Sequence, residues 1–214
     1  MKKIFLLFSV FVLLLMPGAV FAETPFSDVG KHEAAADIEA LYKKGIMAGV
    51  ANNKFNPDEY VTRAQLAVCL VKTFGLNYDN LNFVKKPVPS DLYDDVEAEQ
   101  WYGEASMIIG YNNIFKSDGR KFQPDKVVTR MDVASSLADS FKAGNLSVIT
   151  TLMAPTYSDM DNLTKKEMSD INFVFNTSIM RYEGSQFRPG NKITRAELAT
   201  ILNQTLKTIE TAKS

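Results

Sequence analysis

The sequence predicts a mainly α protein, built from three tandem helix-loop-helix repeats that pack together into one compact body. The first supporting observation is a Thr-Arg motif that occurs at Thr62-Arg63-Ala64-Gln65, Thr129-Arg130-Met131-Asp132 and Thr194-Arg195-Ala196-Glu197. The second is that apolar residues at helical spacing precede and follow each copy. Self-similarity at a period of roughly 65 residues is typical of repeat architectures.

The N-terminal segment, residues 1–22, is predicted to be a secretory signal peptide. Lys2 and Lys3 precede an almost wholly apolar run that ends at Met16, and small residues follow up to Ala22. A positive start, an apolar stretch and then small residues are typical of a leader, here cleaved after Ala22. Because the apolar run is shorter than the roughly 20 residues of a membrane span, an uncleaved anchor is only the alternative. We therefore expect an exported protein with no membrane span after cleavage.

The remainder divides into three predicted repeats, at residues 23–84, 85–150 and 151–214. Each begins with an aromatic-polar-Asp-apolar motif, found at Phe26-Ser27-Asp28-Val29, Tyr93-Asp94-Asp95-Val96 and Tyr157-Ser158-Asp159-Met160. A Phe-x-Pro motif follows in each copy, starting at Phe55, Phe122 and Phe187. The repeats fill the chain after the leader, so no separate catalytic domain is expected.

The first helix of each repeat is predicted from apolar spacing, which in the first copy joins Ala34, Ile38 and Leu41. Gly45 then suits the left-handed residue that often ends a helix, and Asn113 and Ser178 take its place in the later copies. The second helices begin at the Thr-Arg motifs and continue with apolar residues at three- and four-residue intervals. Stretches 75–92 and 144–156 are predicted connectors between the copies.

The Thr-Arg motif also has the form of a helix capping box, in which Thr and a later acid or amide exchange hydrogen bonds with the backbone. Asp132 is short and fits the box less well than Gln65 or Glu197. The aspartates of the starting motif are predicted to cap or turn the chain before each first helix. The predicted structural caps are Thr62, Thr129, Thr194, Gln65, Asp132, Glu197, Asp28, Asp95 and Asp159.

The arginine within each capping motif lacks this local explanation, because a cation in the first turn opposes the helix dipole. An anionic ligand or a buried carboxylate partner would explain it. Both interpretations stay open on spacing alone. In the structural alternative, each arginine pairs with a neighbouring aspartate such as Asp28, Asp95 or Asp159.

Composition excludes several classes of function. The chain has 24 Lys and Arg against 25 Asp and Glu, so nucleic-acid binding through bulk positive charge is not expected. One Cys and one His leave little material for a disulfide, a zinc site or a nucleophile pair. No Gly-x-Ser-x-Gly turn or glycine-rich phosphate loop occurs. We therefore expect no enzyme activity, no metal and no cofactor.

The ordered motifs, repeated three times over about residues 25–208, resemble S-layer homology (SLH) domains. The resemblance implies that the three repeats pack as a pseudo-threefold bundle. It also implies non-covalent attachment of an exported protein to the bacterial cell wall, through grooves between neighbouring repeats. The implied ligand is an anionic secondary cell-wall polysaccharide, often with a pyruvate ketal, or a peptidoglycan-linked glycan. The implied location is the extracellular envelope, at the cell wall or S-layer. The alternative is a degenerate SLH protein that serves as a scaffold for another envelope protein.

The resemblance also implies the ligand residues Arg63, Arg130, Arg195 and Trp101, and the positive charge of Lys166 adds that residue as a candidate. Arginine offers a bidentate fork to a carboxylate, and a helix N-terminus adds backbone N–H groups. Trp101 would offer a flat face to a sugar ring. Its place is taken by Glu33 in the first copy, which would repel an anion, and by Lys166 in the third, which would attract one. Because Arg130 and Trp101 lie in one copy, we expect the second copy to hold the most complete site.

Overall fold

A computed structural model describes residues 25–79, 82–115, 118–149, 153–180 and 184–213. These residues form α1 (Ala35–Lys43), α2 (Arg63–Phe74), α3 (Gly103–Tyr111), α4 (Arg130–Ala143), α5 (Lys165–Asn176) and α6 (Arg195–Lys213). The predicted mainly α fold is confirmed, and each predicted repeat contributes two helices. The predicted signal peptide and its cleavage site lie outside the described residues. Within the described part of the chain, no helix is long and apolar enough to cross a membrane.

Capping boxes begin the second helix of every repeat. In α2, Thr62 Oγ1 accepts a hydrogen bond from Gln65 N at 3.3 Å, and Gln65 Oε1 accepts one from Thr62 N at 3.2 Å. Asp132 completes its box despite its short side chain, because its carboxylate lies 2.9 Å from the backbone nitrogen of Thr129. The other boxes join Thr194 to Glu197 and, at the start of α5, Thr164 to Glu167. The sequence analysis did not identify the box at α5.

The main contacts between helices cross the repeat boundaries. Helix α2 of the first repeat packs on α3 of the second, and α4 of the second repeat packs on α5 of the third. Helix α6 of the third repeat returns to pack on α1 of the first. Each repeat therefore buries its second helix against the first helix of the next repeat, and the third repeat closes the arrangement.

A cycle of backbone hydrogen bonds links the segments before α2, α4 and α6. Val61 N donates to Ile193 O at 2.9 Å, Ile193 N to Val128 O at 3.3 Å, and Val128 N to Val61 O at 3.0 Å. Each of the three residues is thus both a donor and an acceptor to another repeat. This closed cycle fits the predicted pseudo-threefold packing.

The turns after the first helices share one backbone conformation. Gly45, Asn113 and Ser178 have φ values of 68°, 54° and 58°, as expected for the left-handed residue that ends a helix. Phe55, Phe122 and Phe187 begin the next loop of each repeat and are fully buried. The turns and these phenylalanines together fix the loops that approach the neighbouring repeats.

Candidate functional site

Both the backbone N–H and the backbone C=O of Phe55 are bound by side chains. Asp28 Oδ1 accepts a hydrogen bond from Phe55 N at 2.9 Å, and Asp28 Oδ2 accepts one from Asn56 N at 2.9 Å. From the third repeat, Arg195 Nε donates to Phe55 O at 2.8 Å. The aspartate and the arginine therefore act on the same loop, one from its own repeat and one from another.

The same arrangement recurs in the other two repeats. Asp95 accepts from the backbone of Phe122 and Gln123, and Asp159 accepts from the backbone of Phe187 and Arg188. Arg63 Nε donates to Phe122 O at 2.7 Å, and Arg130 Nε donates to Phe187 O at 2.8 Å. Asp28, Asp95 and Asp159 were predicted to cap or turn the chain before the first helices, and the capping alternative is wrong. Their carboxylates bind loop N–H groups instead, and Ala34 and Tyr102, at the start of α1 and α3, form no side-chain cap.

The motif arginines are buried structural cations as well as candidate ligand residues. Arg63, Arg130 and Arg195 are 9%, 7% and 5% exposed. Arg195 Cζ lies 4.3 Å from the centre of the Phe55 ring, a distance at which a cation and a π-system attract each other. Burial lowers the pKa of the Arg63 and Arg195 guanidinium groups, partly offset by nearby carboxylates.

Backbone donors at the starts of the second helices are also engaged across the repeat boundaries. Arg63 N donates to Lys126 O at 2.9 Å, and Ala64 N donates to Pro124 O at 3.0 Å. Equivalent bonds hold the nitrogens of Arg130, Met131, Arg195 and Ala196. The expectation that these helix termini offer free N–H groups to an anion is therefore wrong, since their first donors bind neighbouring backbone.

In the part of the chain that the structure describes, we distinguish three grooves where the repeats meet, and each contains one motif arginine. Groove A contains Arg130 and Glu33 and has a volume of about 640 Å³. Groove B contains Arg195 and Trp101 and has a volume of about 360 Å³. Groove C contains Arg63 and Lys166 and has a volume of about 250 Å³. Each groove thus takes its arginine and its residue at the Trp101 position from different repeats.

This arrangement changes the predicted pairing of site residues. Trp101 of the second repeat lies in groove B with Arg195 of the third, whereas Arg130 faces Glu33 in groove A. Arg130 and Trp101 therefore lie in different grooves, although both belong to the second copy. Each groove draws residues from three repeats.

Groove B combines cations with an apolar wall. Trp101 is 63% exposed, and Ile46, Val50 and Val68 contribute apolar surface beside it. Lys72 adds a second cation and donates from Nζ to Gly45 O at 2.8 Å. No carboxylate is among the described residues that line this groove. The arrangement suits an anionic ligand with a flat, partly apolar ring.

Groove A has the opposite charge. Its lining includes Arg130, but also the carboxylates of Glu33, Asp37, Asp58 and Glu197. Asp37 accepts hydrogen bonds from Thr200 and Asn203 of α6, which helps fasten α1 to α6. An anion entering groove A would meet four carboxylates around one guanidinium.

Groove C contains an internal ion-pair cluster. Lys166 Nζ lies 2.8 Å from Asp170 Oδ2 and 3.0 Å from Asp139 Oδ2. Burial disfavours the charged lysine, but the hydrogen bonds to Asp170 and Asp139 outweigh it and raise the pKa of Lys166. The predicted anion-binding lysine thus already has two carboxylate partners.

Lys72 is a cation of groove B that the sequence analysis missed. It lies seven residues after Gln65 and three after Cys69, so all three share one face of α2. Counting along the helix from the capping motif would have identified it. Within the described residues, no group of three or more His, Cys, Asp or Glu is placed to hold a metal ion.

Comparison with known proteins identifies the same repeats. The family model described as "S-layer homology domain" matches residues 25–67, 92–134 and 156–199, which together are more than half of the chain. Among similar proteins, the Surface-layer 125 kDa protein of Lysinibacillus sphaericus is 24% identical over 81% of this chain and 14% of its own length. The S-layer protein sap of Bacillus anthracis is 26% identical over 89% of this chain and 22% of its own length.

An enzyme is also among the similar proteins. The Amylopullulanase of Thermoanaerobacterium thermosulfurigenes is 22% identical over 83% of this chain and 9% of its own length. The chain thus spans less than a quarter of each of these three relatives.

Proposed function

Since this chain belongs to the S-layer homology domain family, we propose that it is a non-catalytic protein of the cell envelope that attaches non-covalently to an anionic cell-wall polysaccharide. The ligand is a secondary cell-wall polysaccharide or a peptidoglycan-linked glycan. Two relatives are named as surface-layer proteins, which supports a place at the cell surface. The match to the amylopullulanase covers 9% of that enzyme, so it gives no support for catalysis by this chain.

The chemistry of groove B is the observation that best supports this proposal. The bonds from Arg195 to Phe55 O and Ala48 O use two of the five guanidinium N–H donors. The remaining donors can bind a carboxylate on the glycan. Trp101 offers an exposed ring against which a sugar packs, and Lys72 contributes positive charge at the same groove. These features meet in groove B, while groove A is acidic and groove C holds its own ion pairs.

The proposal is tested by sedimenting the purified protein with isolated cell walls, before and after removal of the polymer that is not peptidoglycan. We expect Trp101→Ala to weaken wall binding by about tenfold, as for an exposed aromatic residue at the centre of a binding site. Trp101 is the appropriate probe because replacing Arg195 would also release the Phe55 loop.

Tyr60→Ala is the matched control, because Tyr60 is 51% exposed but does not line groove B. It should bind walls as the wild type does. Loss of binding on polymer removal would identify the secondary polymer, and retention would identify peptidoglycan itself. If the wild type does not bind intact walls, the proposal fails and the scaffold alternative, with another envelope protein as partner, takes its place.

A further inference from the structure

We propose that Lys166 is a latch across groove C, which fastens the third repeat to the second and leaves this groove unavailable to the wall polymer. Lys166 is then a positioning residue and not a ligand contact. The part of this inference that concerns the polymer rests on the function proposed for groove B. The part that concerns the latch stands on the ion-pair geometry alone.

The latch joins two helices from different repeats. Lys166 lies in the first turn of α5, and its ammonium contacts Asp139 of α4 at 3.0 Å and Asp170 of α5 at 2.8 Å. Ser135 Oγ of α4 donates to the same oxygen of Asp170 at 2.7 Å. Lys142 Nζ contacts Asp139 Oδ1 at 3.1 Å. The cluster therefore spans the α4–α5 interface from both sides.

Burial makes the pairing of Asp170 important. Its side chain is 2% exposed, whereas the side chain of Lys166 is 44% exposed. A buried carboxylate without a cationic partner is strongly destabilising, since it has lost its hydration. Lys166 is the lysine that contacts this carboxylate, so its first role is to pair with Asp170.

The residues at the equivalent positions of groove B explain why its charge differs from that of groove C. Trp101 stands where Lys166 stands, and Lys72 of α2 occupies the position that Asp139 occupies on α4. With tryptophan and lysine at these two positions, groove B is cationic and has an aromatic wall. With lysine and aspartate at the same positions, groove C has a lysine that faces a carboxylate. An anion that enters groove C would compete with Asp139 and Asp170 for the ammonium of Lys166.

The experiment compares Lys166→Met, Lys166→Arg and the neighbouring Lys165→Met in the same protein. Methionine keeps most of the side-chain volume but removes the charge, and we expect the thermal midpoint to fall by roughly 3–8 °C. Lys166→Arg retains the cation, so its thermal midpoint should stay close to that of the wild type. Lys165 is exposed on the same helix turn and should be replaceable without effect.

Wall binding supplies the second readout. Lys166→Met should bind isolated walls within twofold of the wild type, measured below its thermal midpoint. A loss of wall affinity of fivefold or more, with an unchanged midpoint, would make Lys166 a ligand contact and overturn the latch. If the wild type does not bind isolated cell walls, the proposed function of groove B fails. The thermal midpoints of the variants still decide whether Lys166 is a latch.

Discussion

Asp28 contributes to stability through a single carboxylate that accepts two backbone hydrogen bonds. Burial alone would raise the pKa of Asp28, but the N–H groups of Phe55 and Asn56 outweigh burial and lower it. A lowered native pKa means that this stabilisation is complete above the ordinary Asp value and is lost as the pH falls through the native value. At neutral pH, the Asp28 carboxylate therefore stabilises the loop at Phe55 and Asn56.

We predict that Asp28→Asn lowers the free energy of unfolding by about 1–3 kcal/mol at pH 7, because one loop N–H loses its acceptor. The difference from the wild type should shrink as the pH falls below about 3.9, the ordinary pKa of an aspartate, because the wild-type carboxylate then also becomes protonated. Urea denaturation at pH 7 and near pH 3 measures both values. Asp161→Asn, at an exposed aspartate, should change neither, and an equal loss at Asp161 would contradict the argument.

At the scale of single elements, the turn after α1 depends on the left-handed residue Gly45. A Cβ at Gly45 would meet no atom within 4 Å, so a substitution there tests backbone strain without steric clash. We expect Gly45→Ala to lower the free energy of unfolding by about 1–2 kcal/mol, the cost of a left-handed residue with a side chain.

Gly30→Ala is the control for this element. Gly30 has equally open surroundings and is not among the positive-φ glycines. Alanine there should leave stability unchanged or raise it slightly, because it restricts the unfolded chain. Thermal melting of both variants measures the difference. Equal effects at Gly45 and Gly30 would show that the left-handed turn carries no special cost.

The helices and their caps could be predicted from sequence because they depend on contacts between residues close together in the chain. The grooves could not, because they depend on contacts between repeats. The capping box of Thr62 and Gln65 joins residues three apart, so a local pattern identifies it. The pairing of Trp101 with Arg195 joins two repeats, and no local pattern contains it. Asp28 illustrates the same limit, since its partners Phe55 and Asn56 lie beyond the first helix.

At the scale of the whole molecule, the repeats form a closed ring and not a linear array. Arg195 reaches Phe55 across 140 residues, and α6 packs on α1, so the last repeat supports the first. In a linear array, loss of a terminal repeat removes a single interface. In the ring, loss of the third repeat removes both of its interfaces and also leaves Val61 N without its acceptor at Ile193.

We therefore predict that removal of residues 151–214 abolishes cooperative folding of the first two repeats. Phe55 would lose the guanidinium that covers its ring, and the buried residues Ile38 and Leu41 of α1 would lose the helix packed on them.

In the full chain, the amides of Val61, Val128 and Ile193 should exchange with solvent through one opening event of similar free energy. Hydrogen exchange on the full chain, and thermal melting of the shortened one, measure these outcomes. A cooperative transition in the shortened chain, with Val61 still protected, would show that the repeats are stable without ring closure.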